Sequence, residues 1–207
     1  MITICDNSRC TGCSTCIQKC PNLCISWKMD GFWNYPKIDN EKCVECKICQ
    51  KSCQANYEKP FKPNDHLIQP QIYAALINDL EIRKKSTSGG AFYAIAEKFL
   101  EDGGYVYGAT MDKFRVFHTR VDNIKELSKL QGSKYIQSDL KDSYKRVKID
   151  LESGKKVLFS GTSCQIEGLY RYLGEKNEQL LTCDLLCKGV PPQRLFDKYI
   201  QFLQKRY

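Results

Sequence analysis

Apolar positions in the second half of the chain switch between two periods. From Gly90 to Leu100, Phe92, Ile95, Ala96 and Phe99 recur at helical spacing. Tyr105 to Thr110 and Arg115 to Arg120 alternate as two strands, joined by a short turn at Asp112 and Lys113. Helices are expected after Asp122 and again after Ser138, where Leu140, Tyr144, Val147 and Leu151 mark one face. Lys156 to Ser160 reads as a short buried strand running into GTSC, Gln165 to Leu173 as a helix and Leu180 to Leu186 as a strand. Pro191 and Pro192 then open a helix carrying Leu195, Phe196, Tyr199, Ile200 and Leu203. With Gln71 to Ile77 read as a further strand, the alternation predicts an α/β domain with a mixed sheet.

Cysteine usage separates the first part of the chain from this pattern. Ten of the thirteen cysteines precede residue 54. A segment that short has a poor core of its own and needs staples. The stretch QANYEKPFKPNDHLIQP, with Pro60, Pro63 and Pro70, reads as the way out of it. The expected organisation is a small cysteine-rich domain over 1–60, a linker over 61–70 and the α/β domain over 71–207, an α+β chain as a whole. The N-terminus MITICDNSRC lacks the apolar stretch of a signal peptide, so the thiols are expected in a reducing, cytoplasmic compartment. No apolar run reaches membrane-spanning length.

The cysteines are spaced as two runs: Cys10, Cys13, Cys16 and Cys20 followed by Pro21, then Cys43, Cys46, Cys49 and Cys53. This is the ligand pattern of a bacterial-type ferredoxin with two 4Fe-4S clusters. Three cysteines two residues apart can cap three irons of one cubane, while the fourth points away to the other. The spacing therefore predicts one cluster on Cys10, Cys13, Cys16 and Cys53 and a second on Cys43, Cys46, Cys49 and Cys20. Structural zinc would use CxxC pairs rather than triplets with a trailing cysteine. Gln54 stands where the second run would carry proline. The formal charge of +8 counts the thiols as neutral; two clusters, each about −2 with its thiolates, bring it to roughly +4. The basic residues are scattered among acids, with no stripe for nucleic acid.

Four segments of the α/β part are rich in small and polar residues. STSGG (86–90) precedes a helix, where free N–H groups suit a phosphate, although alone it reads as a helix cap. GSKY (132–135) offers a lysine and a phenol. GTSCQ (161–165) lies between a strand and a helix, where open α/β sheets bind ligands, and Cys187 follows the next strand. Neither a GxGxxG nor a GxxxxGK loop is present, and His66 and His118 each stand alone.

In combination, STSGGAFYAIAEKFLEDGGYVYGA, LQGSKYIQSDL, KKVLFSGTSCQIEGL and CDLLCKGVPP behind a double ferredoxin motif resemble the beta subunit family of coenzyme F-420 hydrogenases and dehydrogenases. The resemblance implies an iron-sulfur flavoprotein oxidoreductase in which a flavin, FAD, exchanges hydride with a deazaflavin or another organic substrate. It implies phosphate contacts from Ser88, Gly89 and Gly90, a cofactor lining of Ser133, Lys134 and Tyr135, further contacts from Thr162 and Gln165, and Cys164 and Cys187 as candidate ligands of a third cluster. Two positions depart from the family: Ser163 replaces a proline, and Lys188 replaces a histidine, which weakens a proton-transfer role there. Family members continue further, so the α/β domain is expected to be C-terminally shortened. The rival readings are a non-catalytic electron-transfer subunit that docks to a partner oxidoreductase and an iron-sulfur sensor. Either way the expected partner is a redox protein or a small electron donor or acceptor.

Overall fold

A computed structural model describes residues 2–58 and 71–207; the expected linker lies outside them. The chain is α+β. Its main sheet has four strands, β3 (Tyr105–Asp112), β4 (Arg115–Val121), β5 (Val157–Thr162) and β6 (Leu180–Leu185), in the order β4-β3-β5-β6. The sheet is mixed: β3 and β4 are antiparallel, whereas β5 runs parallel to both β3 and β6.

Side chains alternate across this sheet and divide the core in two. Tyr107, Val157 and Phe159 face α6 (Ser143–Glu152) and α7 (Ser163–Leu173), packing with Tyr144, Val147, Ile166 and Leu169. Val106, Val121 and Leu158 face the other way, onto Ala96 and Leu100 of α4 (Ala91–Glu101) and Leu127 of α5 (Ile124–Leu127). Each such aliphatic or aromatic side chain, fully buried, contributes about 1.5–3 kcal/mol.

The cysteine-rich part contains the short helices α1 (Thr15–Lys19) and α2 (Ile48–Lys51) and a hairpin of β1 (Ile25–Asp30) and β2 (Trp33–Ile38). Its core is largely the cysteines themselves with Ile4, Ile25 and Ala55. Cys20 ends α1 in an extended conformation, directly before Pro21, as the proline requires.

The structure departs from the sequence expectations in four places. Residues 71–77 form no strand; Ile72, Tyr73 and Leu76 are exposed, and a hydrogen bond from Ile77 N–H to the Gly89 carbonyl (2.7 Å) holds the segment against the start of α4. The turn between β3 and β4 sits one residue later, at Lys113 and Phe114, both left-handed as a two-residue hairpin demands. Leu140 precedes α6 instead of lying in it, because Asp139 pairs with the outer edge of β4 through Val116 and His118. The β1–β2 hairpin has no counterpart in the expectations.

Helix α3 (Leu80–Lys85) begins at Asp79, whose carboxylate caps Glu81 and Ile82 N–H. Helix α8 (Gln193–Arg206) is pinned at its first turn: Gln193 bonds the Phe114 carbonyl and Val116 N–H, and Arg194 donates to the Gly31 carbonyl in the β1–β2 turn.

Candidate redox site

The two cysteine loops share one backbone. Gly12 and Ser14 in the first have positive φ (70° and 62°), and so do their counterparts Glu45 and Lys47 in the second (51° and 60°). Ser14, Glu45 and Lys47 are side-chain-bearing residues in a region that suits glycine. Such alternation turns successive N–H groups inward and makes a concavity for an anion, a device common to iron-sulfur sites. Strain repeated at matching positions in two loops is the mark of a functional constraint.

Each loop faces a pocket of about 340 Å³, open in part to solvent. One is lined by Cys10, Cys13, Cys16 and Cys53, with Cys5, Thr15 and Trp27. The other is lined by Cys43, Cys46, Cys49 and Cys20, with Cys24, Ile25 and Val44. No histidine or carboxylate among the described residues lines either pocket. Among the described residues no three His, Cys, Asp or Glu side chains are grouped to hold a metal ion. A cubane asks for a different arrangement, because its four thiolates bind four separate irons around a volume. The donor set of each pocket fits that requirement in number and kind.

Electrostatics separate the thiols. Burial pushes Cys16 well up, with its neighbouring cysteines adding to it. Burial also pulls Cys20 upward, but the backbone N–H groups of Cys24, Asn22 and Leu23 and the Cys24 side chain more than offset it, leaving Cys20 below the usual thiol value. Cys24, buried and 3.4 Å from the Cys20 sulfur, is pushed up to about 12 by burial and by that contact.

The pocket of the first run adjoins the α/β part. Thr15 Oγ1 donates to the Gly168 carbonyl in α7 (3.0 Å), Lys19 Nζ to the Arg171 carbonyl (2.8 Å), and Tyr144 N–H to Gln18 Oε1 (3.0 Å). Gln137 Nε2 donates to the Thr11 carbonyl (3.1 Å). Gln54 explains its own departure from proline: its amide reaches both Thr11 Oγ1 and the Cys164 carbonyl at 2.9 Å, contacts that a proline cannot make. Among the described residues, those lining the second pocket all fall between Ile2 and Cys49. Of the two, the first pocket is therefore the one at the junction.

Beyond that junction lies the GTSCQ turn. Thr162 and Gln165 form a reciprocal cap at the start of α7, which accounts for both residues structurally. Gln165 Nε2 continues to Ser138 Oγ (2.9 Å), Ser138 to His118 Nδ1 (3.0 Å), and His118 Nε2 to the Ser160 carbonyl (3.0 Å). Burial lowers the His118 pKa to about 4, so the imidazole is neutral. Its Nε2 carries the proton toward Ser160, and Ser138 donates to Nδ1. Sequence reading left His118 as a lone residue; its partners lie 20 and 42 positions away.

The STSGG and GSKY segments meet. Ser133 N–H donates to Thr87 Oγ1 (2.6 Å), and Gln131 Nε2 to Ser86 Oγ (3.0 Å). Gly89 and Gly90 have a packing reason: a Cβ on Gly89 would stand 2.3 Å from the Ala75 carbonyl oxygen, and one on Gly90 2.7 Å from Ile77. Gly90 caps α4 without a side-chain bond, and Ser88 is exposed beside it. Lys134 Nζ bonds the Gln131 carbonyl (2.8 Å), and burial lowers its pKa to about 8. Tyr135 is exposed.

Cys164 is half-buried beside Thr162 Oγ1 (3.2 Å), close enough to Cys13 and Cys187 for their charges to be felt. Cys187 is exposed. Cys183 packs toward Ala96 and Leu100 on the opposite face. The described residues thus bring two unassigned thiols together here, where a further cubane needs four.

No protein-family model matches the chain. It is 29% identical over 176 residues to a coenzyme F420-dependent sulfite reductase of Methanocaldococcus jannaschii, a match covering 80% of this chain and 25% of the relative. The chain is similar to an F420-linked redox enzyme. It spans about a quarter of that relative's length. Among solved structures, a chain of the F420-reducing [NiFe] hydrogenase complex from Methanosarcina barkeri matches with a TM-score of 0.48 at 19% identity, over 61% of this chain and 47% of that one. Among the described residues, no helix is long and apolar enough to cross a membrane.

Proposed function

We propose that this chain is the electron-entry part of an F420-linked iron-sulfur flavoprotein oxidoreductase, with two 4Fe-4S clusters leading to a flavin in the α/β part. The observation that carries the reading is the pair of pockets, each lined by four cysteines contributed crosswise by the two runs and each bounded by a loop of the same left-handed backbone. The similarity to a coenzyme F420-dependent enzyme supports the redox class.

When bound, the clusters supply one-electron transfer and the flavin pairs those electrons for hydride exchange. The protein's own residues fix the order of the path. Cys43, Cys46, Cys49 and Cys20 would hold the outer cluster; Cys10, Cys13, Cys16 and Cys53 would hold the one at the junction. Thr15, Gln54 and Gln137 clamp that junction onto α7 and the GTSCQ turn. The His118–Ser138–Gln165 chain ties the end of the turn to β4 and β5. Ser88, Gly89 and Gly90 at the uncapped start of α4, with Ser133, Lys134 and Tyr135 beside them, are assigned to the flavin. Partners on this reading are a redox protein at the outer pocket and a deazaflavin or another organic substrate at the flavin.

Anaerobic purification followed by flavin analysis and titration with reduced F420 tests this. Flavin near one per chain and bleaching of both flavin and cluster absorption are expected. Intact clusters without flavin, and without reduction by F420, would make the chain a relay subunit instead.

A further inference from the structure

Each pocket holds a fifth cysteine that the ligand pattern does not use, and in the outer pocket it lies against the ligand that crosses over from the other run. In the outer pocket Cys24 is buried and its sulfur is 3.4 Å from that of Cys20. In the junction pocket Cys5 lines the same cavity as Cys53 and Cys10. Neither thiol serves the hydrophobic core of the α/β part, and neither belongs to the CxxCxxCxxxC spacing. A ligating sulfur is a thiolate and accepts only. The unligated neighbour is then the donor, and the contact is an S–H···S hydrogen bond.

We propose that Cys24 is a positioning residue that raises the reduction potential of the outer cluster. The proposal rests on the two-cluster reading. Hydrogen bonds to the ligand sulfurs are one of the main determinants of a cluster's potential, together with burial and net charge. A donor stabilises the more negative, reduced form. Such a donor acts on the outer cluster alone and shifts its potential relative to that of the junction cluster. Cys24 and Cys20 are both buried, and a low local dielectric strengthens such a contact.

The test is an anaerobic redox titration of the whole chain, followed by electron paramagnetic resonance. Cys24→Ala should move one of the two midpoints to lower potential and leave the other. Cys24→Ser keeps a donor and should hold its midpoint near that of the unaltered chain, a result that also decides the matter if the alanine variant loads poorly. Two clusters whose midpoints both stay in place in Cys24→Ala, or a serine variant whose midpoint falls with that of the alanine variant, would overturn the proposal. A chain with no iron in any form would instead overturn the cluster reading on which it rests.

Discussion

At the scale of single residues, His118 shows how burial sets a proton inventory. Its folded pKa of about 4 lies below the ordinary 6.5, and the first cause is burial. A depressed histidine contributes stability that is whole above pH 6.5 and is lost as the pH falls toward 4, because the unfolded chain takes up a proton that the folded one refuses. Between pH 6.5 and 5 this loss is on the order of 2 kcal/mol. Denaturant unfolding at the two pH values should therefore show a steeper fall for the unaltered chain than for His118→Asn. Equal slopes would mean that the imidazole is not held neutral. None of this was readable from a lone histidine, because the network closes through Ser138, Ser160 and Gln165, which local periodicity does not link. Gln54 is similar: the missing proline was visible, but its reason, the carbonyl of Cys164, is 110 positions away.

At the scale of elements, the contact of α1 with α7 decides how closely the cysteine-rich part approaches the sheet. Gly168 sits in the middle of α7, where alanine would ordinarily gain about 1 kcal/mol. A Cβ there would stand 2.7 Å from Thr15 Oγ1, 2.8 Å from the Tyr144 hydroxyl and 3.2 Å from Cys13 Cβ. Thr15 and Tyr144 are fully buried and have nowhere to go, so overpacking at about 1–3 kcal/mol outweighs the propensity gain. Gly168→Ala should lower the anaerobic urea midpoint; a raised midpoint would show that the helices are not in contact. Most elements were legible in the pattern: α4, the β3–β4 pair, β5 and α7 follow from apolar spacing, while the Thr162–Gln165 cap that starts α7 two residues early came only with the structure. The β1–β2 hairpin was not, although Gly31 and Phe32 between two runs with Trp27 and Trp33 signal a turn, because its exposed side chains give no clean alternation. Residues 71–77 misled for the opposite reason: their apolar content matches a strand, but the Gly89 carbonyl takes the one backbone bond they make to α4's entry.

At the scale of the whole molecule, the account turns on which cysteines share a cluster. Spacing alone suggests the crossing, and the pocket linings group the same residues, since Cys20 and Cys53 each leave their own loop at the end of a short helix and point across. The STSGG and GSKY segments proposed for the flavin stand out in the sequence as small-residue clusters, and folding adds that they are neighbours. The most direct test is iron and sulfide content, measured anaerobically for the unaltered chain, Cys53→Ala and the double variant Cys13→Ala/Cys53→Ala. Crossed ligation predicts about eight irons with as many sulfides, then about four, then still about four, because Cys13 and Cys53 serve one cluster. A double variant with iron near zero would place the two cysteines in different clusters, and zinc in place of iron would contradict the account outright.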